Sequence, residues 1–464
     1  MRVLMGCYFY PRGGSAHAAR ALTRQLRHND VDVTVVAGSR SDIGPVAQAE
    51  RFFGPEDLHI VDYTPALGSE RPTAFQSADS PPMHASFEDR PGAQDTVFAQ
   101  LDDEVFELQV DAWARELDDA GAGDADILYL NHLTPMNEAA AREFPGVPVI
   151  SHIHGPELLM LERIADGAPE SWKHADEWRA RICRWAEESE RLVVNTPQGG
   201  KRAARLLGLD EDRFAVIPNG FDRSFEPLEV DRKALWRRHL VEEPQGWRPD
   251  EQPGSVSYSE ADLDALEGTT LLYSGRFTEV KRLPLLIEAY AKARQEFDEP
   301  TALVLLGGYP GEWEGEHPIE TVERLGVPGV FLAGWHDHTE LPDFLNAADV
   351  LVHASVNEQF GQVLVEAMAC GLPVVAVARG GPASIVDDGE TGWLVEPEDV
   401  DGLAAAMTGA VNDPAERRRR GAAAREEAVD RYSWEEVGEK LSDLLADAKR
   451  DEETPALLQP LTDR

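Results

Sequence analysis

At 464 residues the chain exceeds one ordinary hydrophobic core, and two domains of about 200 residues each are expected. A formal net charge of -41, from 85 acidic against 44 basic residues, argues against a nucleic-acid partner. With 42% hydrophobic residues and acids interspersed among apolar positions, it argues equally against a disordered acidic tail. Only seven of the basic residues are Lys. That acid-rich, Lys-poor balance suits a folded protein in a salt-saturated cytoplasm, where a Debye length of about 3 Å leaves surface charge little reach.

No stretch approaches the roughly 20 apolar residues of a membrane span, and MRVLMGCYFY begins as a strand rather than as a signal peptide. A soluble, cytoplasmic protein is expected. Cys7, Cys183 and Cys370 are scattered without C-x-x-C spacing, so they read as small core residues and not as a disulfide or zinc framework.

Residues 2–10 form an apolar strand, PRGGS follows, and a helix from about Ala16 carries Ala18, Leu22 and Leu26 on one side. A strand, a turn at Gly13 and Gly14 and a helix N-terminus present free N–H groups and a positive dipole end to an anion. The spacing is not G-x-G-x-x-G, which argues against a nicotinamide cofactor. A second strand spans 31–39, after which the pattern is lost. From about Thr64 to Asp95 the chain is rich in Pro, Ser and Asp and reads as a long loop or insertion.

Alternation resumes with a helix from about Val105 to Asp119, a strand at 125–132, a helix from Asn137 to Phe144 and a strand at 147–155. His152 and His154 stand two apart on one face of that strand. A metal pair would need a third ligand, and none is signalled nearby. A helix from about Ser171 to Glu190, a strand at 191–196, a helix from Gly199 to Leu207 and a strand at 214–220 follow. Such alternation predicts a parallel sheet with right-handed crossovers. Residues 242–268, with eight acids, one Arg and three Pro, read as an exposed insertion in the second domain.

A strand at Thr269–Ser274 is followed by GRFTEVKRLPLLIEAY, which puts Arg276 and Lys281 at the carboxyl end of a sheet, where ligands bind. Three more strands, ALVLLGG, VFLAGW and VLVHAS, lead to NEQFGQVLVEAMACGLPVV at Asn357–Val375. Glu358 lies in the loop and Glu366 on a helix from about Gln362, whose Val363, Leu364, Ala367 and Met368 turn inward. Gly371 and Pro373 stop that helix and open an apolar strand. A carboxylate in such a place can accept two vicinal hydroxyls. The last helix opens on a capping box at Ser433 and Glu436, and Trp434, Val437, Leu441, Leu444 and Ala448 form an apolar face that must be covered.

The two acids with seven residues between them, followed by AMACGLPVV, resemble the retaining nucleotide-sugar glycosyltransferases of family 4. GGPASIVDDGETGWLV is similar to that family's stretch after its second Glu, and PNGFD at Pro218–Asp222 to its interdomain N-G-V-D segment, with Phe221 for Val. The resemblance implies the α/β GT-B fold, with two Rossmann-like domains whose parallel sheets face across a cleft and a C-terminal helix crossing back to the first. Residues 1–221 would be the acceptor domain, 222–430 the donor domain and 431–464 the returning helix and tail. By position, Glu358 would contact donor hexose hydroxyls, Glu366 the ribose, and Arg276 and Lys281 the diphosphate, with Gly13 and Gly14 lying against it. His154 would hydrogen-bond the donor sugar near the reacting centre, and Phe360 and Gly361 would complete the donor contacts.

No metal and no cofactor are implied beyond a donor such as a UDP- or GDP-hexose. The acceptor would be a carbohydrate, a lipid-linked molecule or a small molecule, and the leaving phosphate would take the acceptor proton. Arg12, Arg20, Arg24, Arg27, Lys201 and Arg202 leave room for a peripheral contact at the inner face of a membrane. A phosphorylase or epimerase on the same fold, or a non-catalytic nucleotide-sugar binding subunit, stays open. Base, hexose, acceptor and oligomeric state are not legible in the sequence.

Overall fold

The computed structural model describes residues 1–11, 13–42, 44, 47–67, 82–88 and 95–453. The chain forms two compact units: Met1–Pro218 together with the chain from Trp434, and Asn219–Ser433. Unit 2 begins earlier than the expected 222, because the Phe221 N–H donates to the Tyr432 carbonyl at 3.0 Å and Phe221 bridges Ser433. The entering and leaving chains are thereby tied together.

Unit 1 contains β1 (Arg2–Cys7), β2 (Asp32–Ser39), β3 (Leu58–Asp62), the short pair β4 (Ala85–Ser86) and β5 (Thr96–Val97), β6 (Ile127–Asn131), β7 (Val149–Ile153), β8 (Arg191–Val194) and β9 (Phe214–Val216). Seven of these form one parallel sheet in the order β3-β2-β1-β6-β7-β8-β9. Side chains alternate between the faces: Val3, Met5 and Cys7 enter one core, whereas Leu4 enters the other. Both faces are covered, which is why the strands read as continuous apolar runs. β3 was not legible, since LHIVD is too short and too polar to stand out.

Helix Trp434–Glu453 lies on the same face of this sheet as helix Gly14–His28. Val437, Leu441, Leu445 and Ala448 are buried there, with Leu445 taking the core place expected of its partly buried neighbour Leu444. At the crossing a Cβ on Gly438 would come within 2.4 Å of the Gln25 Cβ, so the two backbones approach closely only because that residue is glycine. Asn29 Nδ2 donates to Ser442 Oγ at 3.1 Å beside it.

The expected long loop at 64–95 is not free where it is described. Thr64–Leu67 is a helical turn, and residues 82–87 are buried, with Met83, Ala85 and Phe87 in the core. The rest of that loop, 68–81 and 89–94, lies outside the described residues, as does Arg12. The single helix expected over 171–190 is Ala175–Glu188, and a separate helix, Pro156–Gly167, precedes it.

Unit 2 contains β10 (Thr269–Gly275), β11 (Thr301–Gly307), β12 (Val330–Gly334), β13 (Val350–His353), β14 (Val374–Val377) and β15 (Gly392–Val395) in a second parallel sheet, ordered β12-β11-β10-β13-β14-β15. Residues 242–268 are not an exposed insertion. They cover the edge strand β12: Gln245 bridges Gly334, the Leu332 N–H donates to Tyr258 Oη at 2.8 Å, and Trp247 Nε1–H donates to the Gly308 carbonyl at 3.0 Å. Trp247, Val256, Leu263 and Leu266 are buried while the acids face outward, so the irregular spacing hid a packed segment that satisfies an otherwise open sheet edge.

That correction is testable. Trp247→Ala should cost about 3 to 5 kcal/mol in urea unfolding at fixed salt, as for a large core truncation. A loss under about 0.5 kcal/mol would return the segment to the solvent.

Candidate active site

In unit 2 the site grows from two adjacent strand ends. β10 finishes at Gly275 with Arg276 next, and β13 finishes at His353, five residues before Glu358. Because β10 pairs with β13, Tyr273 stacks on His353, with ring centroids 6.1 Å apart and planes 10° from parallel. Tyr273 Oη–H donates to the Arg276 carbonyl at 2.7 Å, fixing the start of the loop that leads to Lys281.

Lys281, at the end of a short 3-10 turn, Glu279–Lys281, forms an ion pair with Glu358 Oε2, and His353 Nε2 lies 3.2 Å from the same oxygen. Burial by itself would raise the Glu358 carboxyl, but the His353 hydrogen bond and the Lys281 charge prevail and hold it at about 2. Burial holds His353 below its ordinary range, so it is neutral and donates Nε2–H to the carboxylate. Arg276 is exposed and forms no ion pair among the described residues.

The Glu358 loop is clamped by main chain. The Gly381 N–H donates to the Glu358 carbonyl at 2.8 Å, and a Cβ on Gly380 or Gly381 would meet the Glu358 or Phe360 carbonyl oxygen at 2.5 or 1.8 Å. Phe360 is buried, edge-on to Tyr432. Gly361, at φ +101°, turns the chain into helix Gln362–Ala369. Glu366 is buried on that helix, and its Oε1 lies 2.9 Å from Nε2 of the half-exposed His338. That hydrogen bond raises the His338 pKa against the opposing effect of burial.

In unit 1, Gly13 is extended at φ -172° and precedes helix Gly14–His28, and space is open around both glycines. His152 and His154 share a face as the spacing required, stacked at 3.9 Å. His132, which the sequence reading passed over at the end of a strand, reaches the same place from β6, its ring 4.7 Å from His154. It adopts a left-handed φ of 72° and engages Glu157 through Nδ1, 3.3 Å from each carboxylate oxygen. Glu157 is fully buried and accepts the His154 N–H at 3.3 Å and the Gly155 N–H at 2.9 Å. Burial would raise its carboxyl, but His132 and these donors bring it below the usual range.

The structure therefore joins Lys281 to Glu358 and leaves Glu366 with His338. The neighbours His353, His338, His132, Asn131 and Glu157 belonged to no motif, and only His353, Asn131 and His132 stand at strand ends, where sequence could have pointed to them.

The family described as Glycosyl transferases group 1 matches residues 260–427, and the one described as Glycosyltransferase Family 4 matches residues 100–225. D-inositol 3-phosphate glycosyltransferase of Kribbella flavida is 32% identical over 325 residues, covering 68% of this chain and 69% of that relative. D-inositol 3-phosphate glycosyltransferase 2 of Catenulispora acidiphila is 31% identical over 313 residues, 66% of each chain. Glycogen synthase of Mycobacterium tuberculosis is 29% identical over 329 residues, 70% of this chain and 69% of its own. Among solved structures, HepE of Anabaena in complex with UDP and glucose aligns over 96% of this chain and 99% of its own, with a TM-score of 0.64 at 17% identity. Sucrose-phosphate synthase of Thermosynechococcus elongatus aligns over 96% and 98%, with a TM-score of 0.65 at 20% identity. These likenesses, with the two parallel-sheet units, give the GT-B fold.

The Glu358 environment sets a pH dependence. Its carboxyl is depressed in the folded chain, so its stabilisation is complete above the ordinary value of 4.5 and is lost as pH falls through about 2, a contribution of about 3 kcal/mol. The stability gap between the parent and Glu358→Gln should narrow by about that amount between about pH 5 and about pH 2. Parallel urea-unfolding curves for the two proteins across that window would show that Glu358 is not held ionised.

Proposed function

The chain belongs to the group 1 glycosyltransferases, and from that premise we propose that it transfers a hexose from a nucleoside diphosphate sugar to an acceptor hydroxyl with retention of the anomeric configuration. The observation that favours this reading is the cluster of partly buried Lys281 and Glu358 with buried His353 at the ends of β10 and β13, with Glu366 on the helix that follows. Arg276 and Lys281 would take the diphosphate, Glu358 the hexose hydroxyls and Glu366 the ribose. Lys281 and Glu358 neutralise each other without substrate, and a donor supplies a replacement for each: phosphate oxygens for the ammonium, hydroxyls for the carboxylate.

Charge develops on the leaving phosphate, where two cations stabilise it as the bond breaks. That phosphate would take the acceptor proton, and no metal or cofactor is assigned a task. The Gly13 and Gly14 amides would lie against the same diphosphate, and Phe360 and Gly361 hold the loop that presents Glu358. His154 would meet the donor sugar. Two relatives are named D-inositol 3-phosphate glycosyltransferase and one glycogen synthase, so a polyol or a carbohydrate is the acceptor class we favour. Among the described residues no helix is long and apolar enough to cross a membrane. The acidic composition suits work in high salt in the cytoplasm.

Glu366→Ala should weaken the free nucleoside diphosphate by about 1.5 to 3 kcal/mol in calorimetry, the cost of one hydrogen bond to a charged group. Unchanged affinity would take Glu366 out of the site. Turnover with a panel of UDP- and GDP-hexoses in molar KCl tests the reaction itself. Proton NMR of the first product should show the donor's anomeric coupling, and activity should persist in EDTA. An inverted anomer would refute retention, and EDTA inactivation reversed by magnesium would refute the metal-free arrangement.

A further inference from the structure

The histidine cluster of unit 1 contains enough directional chemistry to assign protons. Asn131 Nδ2 faces the Gly6 carbonyl at 3.1 Å, the Met5 sulfur at 3.3 Å and the Cys7 sulfur at 3.7 Å. A backbone carbonyl and a thioether only accept, so the amino end of the amide must point at them and Oδ1 must point the other way. Oδ1 lies 2.9 Å from His154 Nε2. Since Oδ1 has no proton to give, His154 Nε2 must bear one.

His152 lies beside it. Its Nε2 lies 2.6 Å from Asn195 Oδ1 and its Nδ1 2.9 Å from Tyr129 Oη, and burial brings its pKa down to about 4. It is a neutral ring with both nitrogens engaged. Stacked on it, His154 is held well below its ordinary range, first by burial and then by His152 and His132. The ionisable groups around His154 are these two imidazoles and Glu157, whose carboxylate is spent on His132 and on the His154 and Gly155 N–H groups. With Nε2 committed as a donor and the ring uncharged, Nδ1 retains a lone pair.

We propose that Asn131 is a positioning residue that fixes His154 in the Nε2–H tautomer, so that Nδ1 offers a hydrogen-bond acceptor to a substrate hydroxyl. This rests on the reading above in which His154 meets the sugar, and it restricts that sugar. The group opposite Nδ1 must bring a proton, so a hydroxyl fits, whereas a carboxylate sets lone pairs against a lone pair and a deoxy carbon leaves Nδ1 unpaired. His154 is thereby neither a general acid nor a cation for the leaving group.

The test is long-range proton–nitrogen-15 NMR of the histidine rings in the full chain, with His154→Gln to assign the signal. The parent should show His154 as the Nε2–H tautomer, without titration, between pH 6 and pH 8. Asn131→Leu should give a mixed tautomer and lower kcat by about tenfold, the size of one lost hydrogen bond, with nucleoside diphosphate affinity unchanged. A parent ring protonated at Nδ1, or an imidazolium at pH 7, overturns the proposal, and so does an Asn131→Leu enzyme with the parent's tautomer and turnover. If Asn131→Leu does not fold, the parent spectrum decides alone. The tautomer is read without any substrate, so its failure is distinct from a failure of the glycosyl-transfer reading, which the donor panel reports.

Discussion

One partly buried carboxylate, Glu358, is held ionised in unit 2, and most of its surroundings are arranged to let it. Taking Glu358 out of water costs several kcal/mol unless the charge is paired and its lone pairs are filled. Lys281 supplies the charge and His353 the second donor, and Tyr273 fixes both by stacking on His353 and holding the Arg276 carbonyl. The Lys281–Glu358 pair and the Tyr273–His353 stack join residues far apart in sequence. They meet because β10 and β13 are neighbours in a sheet whose order is not the chain order, and the carboxyl ends of such strands are where an open parallel sheet leaves room for a ligand.

The same dependence explains what could be read in advance. Gly380 and Gly381 belong to a stretch recognisable from sequence alone, and their physical role is plain: a side chain at either would collide with the main chain of the Glu358 loop. Glu358, Glu366, Lys281 and the strands around them were legible because motif residues and apolar runs are contiguous in the chain. His353, His338 and Asn131 were not, since each earns its place through a partner between 5 and 28 residues away. A histidine at a strand end looks the same in sequence whether it faces solvent or a carboxylate.

Two errors of fold share a cause. β3 and the cover over β12 lack a sustained period, so β3 was passed over and the cover was read as an exposed insertion. Residues 242–268 have their apolar groups at Trp247, Val256, Tyr258, Leu263 and Leu266, at intervals of 9, 2, 5 and 3, which match neither a helix nor a strand. Periodicity detects regular backbone, whereas this segment is held by single contacts to an edge strand. The eight acids of the segment strengthened the impression of a solvated loop. In a chain of this charge, acidity reports the outer surface of a segment and says little about its inner one.

The two units handle polar burial in opposite ways. Unit 2 partly buries a full charge pair, with which, in the proposed reading, a ligand bearing its own charges would exchange partners. Unit 1 buries a set of rings beside one carboxylate, with the Asn131 amide dictating which nitrogen bears the proton on His154. Amides suit that task because their donor and acceptor ends cannot interchange once one end is fixed by a carbonyl, whereas a carboxylate in the same place would draw a second proton onto the ring. A neutral, oriented imidazole distinguishes a hydroxyl from an ion of either sign, and a buried ion pair does not. In the proposed reading the division would follow from side-chain chemistry: recognition of phosphate needs cations that can be released, and recognition of a sugar hydroxyl needs a lone pair whose direction is set beforehand.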